Sequence, residues 1–113
     1  MRRNIACLSI AVSLVASGAS AQQALSDAEI RTAFSGKKVE WGTEGTADYR
    51  SDGRYEYLQK STGQQFLGQF VIGAQRLCYD FPGGTSQCDR IMKDKDGIYM
   101  INGSGAIYRA RFL

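Results

Sequence analysis

The stretch Arg76-Leu77-Cys78-Tyr79-Asp80-Phe81-Pro82-Gly83-Gly84-Thr85-Ser86-Gln87-Cys88-Asp89-Arg90 decides the fold. Pro82 fixes one φ, and Gly83 and Gly84 leave the next two free, so the segment reads as two strands joined by a tight tip. If Phe81 and Thr85 close that turn, antiparallel register sets Cys78 directly opposite Cys88. Thiols that face each other across one hairpin are placed to form a disulfide. Side chains alternate between the two faces of a strand, so Leu77 and Tyr79 point one way and Cys78 the other. The expected arrangement is a covalent staple on an outer face with Arg76, Asp80 and Arg90, bracing strands whose inner face enters a core.

A disulfide implies an oxidising compartment, and the N-terminus agrees. Residues 1–21 carry Arg2 and Arg3, an apolar run from Ile5 to Ala16, and a small-residue cleavage site at Ala19-Ser20-Ala21, the organisation of a secretory signal peptide. The apolar run is too short to span a bilayer. Cys7 sits at its start, whereas a lipid-bearing cysteine would follow its end. The reading is therefore a signal peptide over 1–21, a single β-rich domain over 22–113, no membrane span after cleavage, and a periplasmic or secreted location. Removal of the leader takes Cys7 and two arginines, leaving one cysteine pair and lowering the formal charge from +3 to +1. With so small a charge, and no basic run longer than Lys37-Lys38, the domain lacks the electrostatic footprint of a nucleic-acid binder.

One helix is legible. Ser26 and Glu29 form a capping box, Leu25 and Ile30 stand where a hydrophobic staple places them, and Gly36 is a C-terminal stop, so the helix runs from about Asp27 to Ser35. Ile30, Ala33 and Phe34 share a face for docking. Beyond Gly36 the chain is punctuated by Gly or Asp-Gly every eight to twelve residues. Strands are expected at Lys38 to Gly42, Thr46 to Arg50, Arg54 to Lys60, Gln65 to Ile72, Arg76 to Phe81, Gln87 to Lys93, Ile98 to Ile101 and Ala106 to Phe112. Short connections make the sheet an antiparallel up-and-down meander of seven to eight strands. The fold class is mainly β (α+β): a curved sheet or small barrel with one N-terminal helix plugging an end or covering a face. Ile91-Met92 and Met100-Ile101 break the alternation by placing apolar groups on both faces.

The sequence contains no histidine, which removes the commonest general base and zinc ligand. Asp48, Glu56, Asp80 and Asp89 lie on or near strands, where carboxylates ordinarily solubilise an outer face. Asp94-Lys95-Asp96-Gly97 begins like a calcium loop but lacks the remaining ligands, and a hairpin turn is the better reading. No catalytic residue, metal site or cofactor is assigned, and the protein is read as non-enzymatic. The aromatic side chains carry more information. Trp41, Tyr55, Tyr57, Tyr99 and Tyr108 offer rings with polar tips that suit a binding surface, or that simply fill strands. Arg109 and Arg111 share a strand face and suit either an anionic group or a solvated edge.

With its signal peptide, Leu25-Ser26-Asp27-Ala28-Glu29-Ile30 helix, Leu67-Gly68-Gln69-Phe70, Arg76-Leu77-Cys78-Tyr79 and Cys88 followed by Arg90, the chain resembles small exported alphaproteobacterial proteins of unknown function. The resemblance implies a periplasmic location and a compact β fold, and assigns no site. The functional expectation is a periplasmic interaction module engaging an envelope protein, as an inhibitor would, or a cell-wall component through a tyrosine-rich surface. The alternative is a lipocalin-like carrier, though a barrel this short is expected to hold little beyond its own side chains. A hydrolase is the third reading.

Overall fold

The computed structural model describes residues 22–84 and 86–113; the signal peptide read at 1–21, with Cys7, and the turn residue Thr85 lie outside the described residues. A two-residue strand β1 (Gln23–Ala24) leads into helix α1 (Asp27–Phe34). Eight strands follow: β2 (Lys37–Trp41), β3 (Gly45–Tyr49), β4 (Arg54–Gln59), β5 (Gln65–Gly73), β6 (Arg76–Asp80), β7 (Ser86–Asp94), β8 (Gly97–Ile101) and β9 (Ile107–Phe112). Each pairs antiparallel with the next. The last then returns to the first: Val39 lies opposite Phe112 and Trp41 opposite Ala110, so β2 to β9 close into an eight-stranded up-and-down barrel. Every expected strand is present. β1 was not expected, because two residues carry no alternation; it pairs with β7 at Lys93 and Met92, beyond the point where β6 has ended.

Helix α1 forms where the capping box predicts. The Ser26 side chain accepts from the Glu29 amide, and the Ser26 amide donates back to the Glu29 carboxylate. Ser35 closes the helix and Gly36 follows at φ +78°, a left-handed conformation that glycine adopts without strain. Ile30 and Phe34 are fully buried, with Leu25 beside them as the staple partner. The Phe34 ring lies 5.7 Å from Trp41, 5.3 Å from Tyr49 and 5.4 Å from Phe112. A ring buried this way contributes about 1.5–3 kcal/mol and fills one end of the barrel.

At the plugged end the β5–β6 turn is made by Ala74 and Gln75 at φ +53° and +62°. Tight hairpins favour this left-handed pair because it matches strand twist, but neither residue adopts it easily. The turn is held from outside by Asp27 of α1, whose carboxylate accepts from the Gln75 amide at 2.8 Å. Asp94 likewise organises the Lys95-Asp96 turn, accepting from the Asp96 amide at 2.9 Å, and its carboxylate is further engaged by Arg109. That segment is a hairpin turn, as read from the sequence. The Pro82-Gly83-Gly84 and Asn102 to Gly105 tips lie at the opposite, unplugged end.

Cys78 and Cys88 face each other in register, with Cα atoms 4.0 Å apart, and are bonded. Their neighbours Leu77 and Tyr79 are buried while Arg76, Asp80 and Arg90 are exposed, so the staple sits on the outer face. The interrupted alternation resolves in the same way: Ile91 and Met100 join the core inside the barrel, while Met92 and Tyr99 pair on the other face and are nonetheless buried there. No helix among the described residues is long and apolar enough to cross a membrane.

Replacing both cysteines, Cys78→Ser with Cys88→Ser, is expected to lower unfolding stability by about 2–3 kcal/mol in urea titration, the loop-closure value for a link of this length. Replacing the strained turn pair, Ala74→Asn with Gln75→Gly, is expected to raise stability by about 1 kcal/mol, because these residues accept the left-handed backbone and the amide to Asp27 is retained.

Candidate ligand site

Inward-pointing residues stack in layers from the plugged end to the open one. Val39, Leu77 and Ile91 form the layer above α1 and are fully buried. Trp41, Tyr79 and Met100 are buried too and already line the cavity, beyond which the interior is no longer filled. A cavity of about 500 Å³ opens at the unplugged end, a volume suited to a small molecule. Its aromatic lining comprises Trp41 on β2, Tyr55 and Tyr57 on β4, Phe66 on β5, Tyr79 on β6, Phe81 after β6 and Tyr108 on β9.

Four of these rings form a continuous wall. Tyr55 and Tyr57 stack at 6.3 Å, Tyr57 meets Phe66 at 6.3 Å, Phe66 meets Phe81 at 6.2 Å, and Phe81 returns to Tyr55 at 6.0 Å. Two inward-facing glycines make room for it. A Cβ on Gly45 would lie 2.6 Å from the Tyr57 ring, and one on Gly68 would lie 2.9 Å from Phe81. Both would also meet backbone carbonyl oxygens at 2.3 Å, so no side-chain adjustment relieves them. Glycine stands at these positions for space, and the rings occupy it.

The polar lining is sparse and of one sign. Glu44 lies at the rim, Gln59, Gln87 and Asn102 line the walls, and Asp89 lies deeper, directly opposite Leu77 in the strand register. No Lys or Arg lines the cavity among the described residues. Asp89 is only 2% exposed, and its Oδ1 has no hydrogen-bond partner. Burial pushes the Asp89 carboxyl up to about 6, and a hydrogen bond from the Tyr79 hydroxyl opposes that rise. Behind Tyr79 runs a chain of donors. The Trp41 indole, which can only donate, gives its proton to the Tyr49 hydroxyl at 3.0 Å, and Tyr49 and Tyr79 hydroxyls lie 3.0 Å apart. Either hydroxyl of the Tyr49–Tyr79 pair can donate, so the network ties Trp41 to Tyr79, the residue beside Asp89, without a fixed direction. Burial raises the Tyr49, Tyr55 and Tyr79 hydroxyls well above the ordinary phenol value and Tyr57 to about 12, so these groups are neutral donors at physiological pH.

The residues singled out from the sequence divide between the two faces. Trp41, Tyr55, Tyr57 and Tyr108 come together inside the cavity. Tyr99, Arg109 and Arg111 do not join them: Tyr99 is opposite Arg109 on the outer face, with the guanidinium 5.0 Å from its ring centre. The two arginines are occupied in cross-strand ion pairs. Arg109 grips Asp94 at 2.6 Å and Arg111 grips Glu40 at 2.8 Å, and each acid is held below the usual carboxylate range, Asp94 chiefly by Arg109 and Glu40 by Lys60 then Arg111. The solvated edge read for these arginines does not exist, because β9 closes the barrel against β2. Asp48, Glu56 and Asp80 face outward as expected, whereas Asp89 does not. Its position follows from the same alternation that places Cys88 outside: the next residue must point in. Alternation puts Phe66 and Gly68 on one face with Phe70, and Phe81 on one face with Leu77 and Tyr79, but their part in a cavity wall depends on which strands become neighbours.

Because Asp89 binds its proton more tightly in the folded than in the unfolded chain, the folded state carries the excess proton between about pH 4 and pH 6, and stability falls as pH rises through that window. Asp89→Asn removes the buried charge. It is expected to be more stable than the parent at pH 8 by at most about 3 kcal/mol, the value set by the separation of 3.8 from about 6, with the two converging near pH 4 in denaturant titrations. A variant no more stable at pH 8 would contradict a buried, unpaired carboxylate.

No protein-family model, no curated protein and no solved structure matches this chain, so the site is read from its own geometry.

Proposed function

We propose that the protein is a calyx that binds a small, partly apolar molecule in the open end of its barrel, in the periplasm or outside the cell. The observation that carries this reading is the cavity of about 500 Å³ walled by aromatic rings and reached from one end. A closed barrel plugged at its base leaves a single route in and out, as a carrier requires. The rings that suggested a protein-binding surface, Tyr55, Tyr57, Tyr108 and Trp41, turn inward, where they favour a small ligand over a macromolecular partner. The outer face exposes Leu67 and Val71, each 55% accessible, but scattered residues of this kind are ordinary on any surface. A disulfide on that face suits an oxidising compartment.

Trp41 is the only tryptophan and lies 1% exposed against the cavity floor, so its fluorescence reports occupancy. Titration with the uncharged dye N-phenyl-1-naphthylamine is expected to give one saturable site with a shift in Trp41 emission. Gln87→Trp, which fills the mouth from an inward position on β7, is expected to weaken the dye at least tenfold while melting cooperatively. Absence of dye binding in the parent, or equal binding in the variant, would overturn the reading.

A further inference from the structure

The lining of the cavity carries a second message, about charge. A barrel whose described residues put two carboxyl groups, Glu44 and Asp89, and no Lys or Arg along its cavity is unsuited to fatty acids or other anions. The deeper of the two is the informative one. Asp89 has a buried oxygen without a hydrogen-bond partner and no ion-pair partner among the described residues, and it lines the same cavity as the aromatic wall. An unpaired acceptor buried in this way is costly to the fold and is retained without any internal partner. The chemistry that satisfies both features at once is a positive charge: the carboxylate supplies a counter-ion, and ring faces attract cations through their negative quadrupoles.

We propose that the ligand is an organic cation, an amine or quaternary ammonium group on a small apolar body, with Asp89 as its counter-ion and the Tyr55, Tyr57, Phe66 and Phe81 wall receiving its substituents. This rests on the calyx reading and adds the sign of the ligand's charge. The hydrogen-bonded Trp41, Tyr49 and Tyr79 fix the surroundings of Asp89, which lines the cavity with its buried Oδ1 unpartnered. The guest replaces the missing partner of the fold.

The groups that face Asp89 are Tyr79 on β6, Tyr49 on β3, Tyr55 and Tyr57 on β4, and at greater height Tyr108 on β9 and Glu44. Tyr49, Tyr55, Tyr57, Tyr79 and Tyr108 are all raised from the phenol value and stay neutral from pH 5 to pH 8, so Asp89 is the deep group that titrates there. Cation binding requires its ionised form and therefore weakens as pH falls through about 6.

The test compares three competitors of similar shape for the cavity: benzyltrimethylammonium, its uncharged carbon analogue neopentylbenzene, and phenylacetate. Displacement of N-phenyl-1-naphthylamine and Trp41 emission are read at pH 8 and pH 5. In the parent at pH 8 the ammonium compound is expected to bind at least tenfold more tightly than its uncharged analogue, and phenylacetate more weakly than either. The ratio of cation to analogue, measured within each protein, is expected to fall about tenfold at pH 5 and to approach one in Asp89→Asn at both pH values. Asp80→Asn, which removes an outer-face carboxylate on the neighbouring strand, is expected to keep the parental ratio. Equal affinity for cation and analogue in the parent, or a preference that survives in Asp89→Asn, overturns the cation assignment while dye binding keeps the calyx reading intact. If the dye and all three competitors fail to bind the parent, both readings fall together.

Discussion

Closure of the meander is the constraint on which everything else depends. The β2–β9 seam, three residue pairs long with Glu40 and Arg111 joined across it, removes both edges of the sheet at once. A closed barrel has an inside that can be reached only from its ends, and α1 occupies one of them with Ile30 and Phe34. The fate of every inward side chain is then decided by its height along the barrel axis. Near the helix it becomes core; near the other end it becomes lining. The same alternation that builds a small hydrophobic core thus builds a cavity, provided the upper layer is left incomplete, and Gly45 and Gly68 allow the rings there to lie back against the wall.

Within that enclosure the polar groups form one connected system. Trp41, Tyr49 and Tyr79 are each buried and each hydrogen-bonded. Asp89 lies beside Tyr79, and its bonding capacity exceeds what the fold supplies. Low dielectric strengthens the bonds that are made and sharpens the penalty for the one that is not. The interior is consequently uniform in its neutrality except at a single point facing the cavity.

Much of this architecture was legible in the amino-acid sequence. The hairpin register at Cys78 and Cys88, the capping box at Ser26 and Glu29, and the strands from β2 to β9 are all local patterns, set by turn chemistry and by alternation over a few residues. Whether the sheet closes is not local, because it depends on accumulated twist and on a pairing between residues about seventy positions apart. That one undetermined pairing governed the rest. Without it, Trp41, Tyr57 and Tyr108 count as surface and Arg109 and Arg111 as an edge; the expectation that so short a barrel holds little beyond its own side chains fails separately, because the inward layer near the mouth is incomplete and leaves about 500 Å³. Asp89 is a different case: alternation from Cys88 pointed it inward, but strand carboxylates are so commonly solubilising that composition outweighed register.

The staple and the buried carboxylate occupy adjacent positions, Cys88 and Asp89, on opposite faces of one strand. Cys78 and its neighbours Leu77 and Tyr79 on β6 are divided in the same way. The residues that fasten this hairpin shut therefore share no space with those that furnish the interior. Such a division gives the scaffold modularity: inward positions near the mouth, such as Gln87 or Phe66, can drift or be redesigned toward new guests while the covalent brace on the far side of the same backbone is left untouched.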